Sequence, residues 1–93
     1  MSENKKQLLR DKIDTLDDMV AKALNDRIEC AIEIGHIKRK SGDKLFDPKR
    51  EEQIFHRLTT NNTGPLTAEA LVRIFERIID ESRSIERTTA YDE

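Results

Sequence analysis

Arg27 and Lys38 are spaced so that both fall on one face of any helix that contains them. Eleven residues at ~100° each return to within about 20° of the starting direction. Ala31 and Ile34 lie on the same line, at steps of four, three and four. A cation on a small, apolar stripe is costly unless an opposite charge meets it. That charge belongs either to an acid of the protein or to a bound anion. Asp47, Arg50 and Glu51 fall within one helical turn, and Ser82 and Glu86 form an i,i+4 pair further on. Each also has a plain structural use. Asp47 is a ready N-cap, Glu51 a first-turn acid favoured by the helix dipole, and Ser82 can bond back to its own helix. The constellation, more than any member, points to an anionic ligand.

Arg10 behaves differently. Seventeen residues separate it from Arg27, which leaves the two roughly 100° apart around a shared helix. It does not face the same pocket of its own chain. In an antiparallel pair of long helices it would enter the partner's pocket.

Other chemistries find little support. His36 and His56 have no Cys or His at zinc spacing and read as surface residues. Cys30, the single cysteine, reads as a core or interface residue, with no adjacent His to activate it. There is no glycine-rich phosphate loop, and no metal or cofactor is expected. Seventeen Lys and Arg against nineteen Asp and Glu give a net charge of −2. That balance argues against a nucleic-acid or membrane-surface binder. With no apolar leader and no apolar run near ~20 residues, a cytoplasmic location is expected.

The elements that must hold these residues read as three helices. Leu9, Ile13, Leu16, Val20, Leu24, Ile28, Ala31, Ile34 and Ile37 recur at steps of mostly three and four, predicting one helix from about Asn4 to Lys40. At ~1.5 Å per residue it spans roughly 55 Å, too long for a compact globule of 93 residues. One end must project and find apolar company, most simply on a second copy. The alternative is a break near Asn25 or Gly35 and a monomeric hairpin. Ser41-Gly42-Asp43 ends the helix. Asp47-Pro48 starts a second, to about Thr60, and Thr67 caps a third. One domain, 1–93, is expected, with residues 88–93 as a frayed polar tail. Only 35% of the residues are hydrophobic, thin for a self-sufficient core and suited to one shared between chains.

The chain also resembles a known family. Leu9-Arg10-Asp11-Lys12-Ile13-Asp14-Thr15-Leu16-Asp17 is similar to the L-R-x-x-I-D-x-L-D opening of the all-helical chorismate mutases. Arg27 followed by Ile34-Gly35-His36-Ile37-Lys38, then Asp47-Pro48-Lys49-Arg50-Glu51, then Ile78-Ile79-Asp80-Glu81-Ser82 with Glu86, resemble their later motifs in order and spacing. The likeness covers residues 8–86. Leu45-Phe46-Asp47-Pro48 and the loop 61–65 further resemble mutase domains fused to 3-deoxy-heptulosonate-7-phosphate synthase in some bacteria.

The resemblance implies a three-helix, all-α fold forming an intertwined homodimer, and a mutase that converts chorismate to prephenate for phenylalanine and tyrosine biosynthesis. It implies that Arg10 of the partner subunit pairs with one substrate carboxylate. Arg27 and Lys38 bind the other carboxylate and the ether bridge, with Lys38 on the ether oxygen. Asp47 and Glu51 hold the ring hydroxyl, with Arg50 orienting them. Ser82 and Glu86 complete the wall, Glu86 donating to the ether oxygen. Many relatives have Gln at that last position; Glu donates only when protonated, so its pKa must rise. A shikimate-pathway synthase is a further implied partner. Three other readings stay open: an isochorismate-pyruvate lyase, a catalytically weak regulatory module, and a plain dimerisation protein. The last leaves Arg27 and Lys38 unexplained.

Overall fold

The computed structural model describes the backbone of residues 2–91 and side chains through Thr89. Three helices follow one another: α1 (Ser2–Ser41), α2 (Pro48–Asn61) and α3 (Ala68–Tyr91). No strand occurs among the described residues.

Helix α1 is unbroken over 40 residues, so the hairpin with a break near Asn25 or Gly35 does not form. Its expected rise of ~60 Å accounts for the longest dimension of the molecule, 60 Å. The radius of gyration is 17.1 Å, against about 12 Å for a compact chain of this length. Helix α1 ends where the sequence marks it. Gly42 takes the left-handed conformation at φ +79°, and the Asp43 N–H donates to the Lys38 carbonyl at 2.9 Å, a Schellman closure. Asp47 caps α2 by accepting from the Arg50 N–H at 3.1 Å. Thr67 caps α3 by accepting from the Ala70 N–H at 3.1 Å.

Helix α3 lies between the other two and packs on both. Among the described residues the buried apolar side chains are few: Ala31, Ile54 and Ile79, one from each helix. Gly35 is buried beside them, and its missing side chain lets α3 approach closely. The N-terminal part of α1 has no such cover. Leu8, Leu9, Ile13, Leu16, Met19 and Val20 are all exposed, by 46–69%.

Two expectations need correction. Helix α3 continues through Thr88 and Thr89, whose hydroxyls donate to the Ser84 and Ile85 carbonyls, and reaches Tyr91. The expected tail from 88 is therefore helical through 91, and 92–93 lie outside the described residues. His36 is half-buried, not a surface residue, because it neighbours Gly35 at the close approach of α1 and α3. His56 is exposed as expected.

Candidate active site

The last four turns of α1, the start of α2 and the middle of α3 line a cleft of ≈ 230 Å³. Arg27 and Lys38 both line it, with Ala31 and Ile34 between them, as the helical spacing requires. Ile54 and Ile79 supply the apolar floor.

Arg27 is anchored across the cleft. Its Nη1 donates to the Ser82 Oγ at 2.9 Å, and the Ser82 hydroxyl donates to the Ile78 carbonyl at 2.9 Å. Ser82 is the most buried polar residue, 5% exposed. Its proton is committed to its own helix, so its lone pairs face Arg27. The plain structural use of this serine and its place in the site are therefore compatible. It orients the guanidinium.

Lys38 reaches back over the turn it terminates. Its Nζ donates to the Leu45 carbonyl at 3.4 Å and stands 3.9 Å from the Asp47 carboxylate. Only 21% of the Lys38 side chain is exposed, so the ammonium is held inside the wall with one carboxylate at long range. That leaves most of its donating capacity for a ligand.

Glu86 faces the same space from α3. A Cβ built on Gly35 would stand 3.4 Å from the Glu86 Cγ, so α1 packs tightly over the base of this side chain. Burial raises the Glu86 pKa above its ordinary value, and Lys38, Arg83 and Arg27, in that order, pull it back without reversing the shift. The carboxyl is biased toward its neutral, proton-donating form.

Asp47, Arg50 and Glu51 all line the cleft. The expected role of Arg50 in orienting the two acids differs from the contacts seen. Arg50 gives its backbone N–H to Asp47, and the Glu51 carboxylate is gripped by Arg83 of α3 at 2.5 Å. Arg83 escaped the sequence reading. It follows Ser82 directly and lies three residues from Glu86 and four from Ile79, spacings that put it on the flank of the same face. That periodicity was the available signal.

Arg10 is exposed on α1, about 25 Å along the helix from Arg27, and does not line the cleft. Cys30 lines its edge and is exposed in the single chain, so one chain does not bury it. Among the described residues, no group of three His, Cys, Asp or Glu could hold a metal ion. Among them too, no helix is long and apolar enough to cross a membrane.

Residues 9–87 match the family model for chorismate mutase type II. The chain is similar to a solved chorismate mutase from Thermus thermophilus, at 31% identity and TM-score 0.88, covering 89% of this chain and 94% of that one. It is also similar to Helicobacter pylori chorismate mutase solved in complex with prephenate, at 29% identity and TM-score 0.87, covering 94% of each. A bifunctional chorismate mutase/prephenate dehydratase from Neisseria gonorrhoeae is 34% identical over 84 residues, 88% of this chain and 23% of that protein. The chain thus spans about a quarter of the bifunctional relatives it matches. The shorter chorismate mutase of Methanocaldococcus jannaschii is 26% identical over 80 residues, covering 81% of that protein.

Proposed function

The chain belongs to the chorismate mutase type II family, and on that premise we propose that it rearranges chorismate to prephenate in the Arg27–Lys38–Glu86 cleft. The reaction is intramolecular: the ether C–O bond breaks as a new C–C bond forms within the same molecule. No nucleophile, base or redox partner enters. The protein's work is to hold the compact conformer and to stabilise the charge that grows on the ether oxygen.

The observation that carries this reading is the convergence of a partly buried ammonium and a carboxyl of raised pKa on one small space. An ammonium and a neutral carboxyl are both donors, and both oppose developing negative charge without reorganising. Arg27, fixed by Ser82, supplies a rigid clamp for a carboxylate and so the positioning component. Asp47 and Glu51, acceptors that also line the cleft, suit the ring hydroxyl.

The functional unit in this proposal is a homodimer in which Arg10 of the partner subunit completes each site. Two observations support it. Leu9, Ile13, Leu16 and Val20 form an exposed apolar stripe on α1 that the single chain does not cover, the kind of surface that marks an interaction site. The single-chain cleft of ≈ 230 Å³ falls below the ~300–1,000 Å³ of ligand pockets, as a site with one wall missing would. The synthase partner implied by the motifs around Phe46 and the loop 61–65 rests on those motifs alone. The bifunctional relatives above carry a prephenate dehydratase instead.

Loss of chorismate by the purified chain, with product analysis, tests the reading. Prephenate from chorismate supports it. Salicylate and pyruvate from isochorismate would make the chain a lyase, and binding without turnover would make it a regulatory module.

A further inference from the structure

We propose that Arg83 is a positioning residue for the reaction: it reaches from α3 to hold the Glu51 carboxylate of α2 at the cleft wall and pins the α1–α2 connection through Phe46. The proposal rests on the mutase reading in taking Glu51 as a substrate contact.

Arg83 makes three contacts with three parts of the chain. Its Nη2 lies 2.5 Å from the Glu51 Oε2, its Nη1 lies 3.8 Å from Asp80 one turn earlier on α3, and its guanidinium carbon stands 4.9 Å from the centre of the Phe46 ring. Only a planar guanidinium can offer a donor fork at its edge and a stacking surface on its face together. The Arg83 and Glu51 side chains are 27% and 24% exposed, unlike the Arg77–Glu81 pair on the outer face of α3, at 79% and 54%. An exposed pair of the second kind contributes little. In the first, removing one partner leaves the other partly desolvated and free to turn.

The direction in which Glu51 would turn matters. A second hollow lies behind the cleft, lined by Phe46, Phe55, Glu76 and Asp80. Glu51, Arg83 and Ile79 border both spaces. The Glu51–Arg83 pair is thus the partition between them, and Arg83 fixes which side the carboxylate serves. Phe46 is 55% exposed, and the guanidinium over it ties the connection that carries Asp47 to the same arginine.

The test is a double-substitution cycle on the full chain. We expect Arg83→Met to lower kcat/KM by about 10²-fold, the scale of a misplaced substrate contact, and Arg83→Lys to lower it less. Both should reproduce the division between KM and kcat that Glu51→Gln shows. The Arg83→Met/Glu51→Gln double variant should be no worse than the worse single, because both remove the same interaction. Arg77→Met, on the outer face, should match the parent. An Arg83→Met enzyme within twofold of the parent, or losses that multiply in the double variant, would overturn the proposal. Should Arg83→Met lose its helical circular dichroism, the same cycle run with Arg83→Lys decides. If the parent itself consumes no chorismate, the mutase reading fails on its own account. The clamp is then read from urea midpoints: non-additive single and double shifts support it, and additive shifts overturn it.

Discussion

Gly35 on α1 and Glu86 on α3 meet so closely that a Cβ on the glycine would sit 3.4 Å from the Glu86 Cγ and 3.5 Å from its Cβ. That contact fixes both the depth at which Glu86 enters the cleft and the solvent it loses. Alanine fits at ordinary van der Waals distance. Gly35→Ala should therefore keep activity within a few fold and stabilise the helix by about 1 kcal/mol. Gly35→Leu has no such room. It should displace Glu86 and lower turnover by about 10²-fold while circular dichroism still reports the parental helical content.

Lys38→Ala and Arg27→Ala should each lower turnover by about 10²–10³-fold, the effect of losing one preorganised donor or clamp. Helical content and assembly state should be unchanged. Activity within twofold of the parent would remove either residue from the site.

Mixing chains tests the shared site. Arg10→Ala and Lys38→Ala homodimers each lack one component at both sites. A hybrid has one site with both components intact. Co-refolded mixtures should regain up to about a quarter of parental activity, since half the dimers are hybrids and each has one good site. Mixtures that never exceed the inactive parents would rule out a shared site.

The proposed role of Glu86 carries a pH dependence. Its folded pKa is raised by burial, against the pull of Lys38, Arg83 and Arg27, so the proton that makes it a donor is lost as pH climbs through that raised value. Turnover should fall with rising pH, and Glu86→Gln, which donates at any pH, should flatten the fall. Stability follows the same sign. The folded chain holds this proton more tightly than the unfolded one, so its contribution is fully present below about 4.5 and is lost as pH rises through the folded value. Urea midpoints of the parent and Glu86→Gln should diverge over that range.

What the sequence made legible was what depends on spacing along one helix. The α1 stripe, the Asp47 and Thr67 caps, the closure at Gly42 and the shared face of Arg27 and Lys38 are local or periodic, and each is found. Spacing could have placed Arg83 on the flank of the α3 site face, but not its contacts: its partners Glu51 and Phe46 lie on other elements, and no periodicity reports a contact across helices. The half-burial of His36 was missed for a related reason. Gly35 read as a weak point in a helix, whereas its role is to admit α3.

The meagre core, one apolar side chain from each helix, has a consequence for how activity scales. If, as proposed, the chain takes apolar cover and an arginine from a second copy, it becomes competent in a bimolecular event, so dilution removes active sites as well as enzyme. Rate per milligram should then decline below the dissociation constant of the pair. The cellular abundance of the chain would set its specific activity, and doubling synthesis near that threshold would more than double flux.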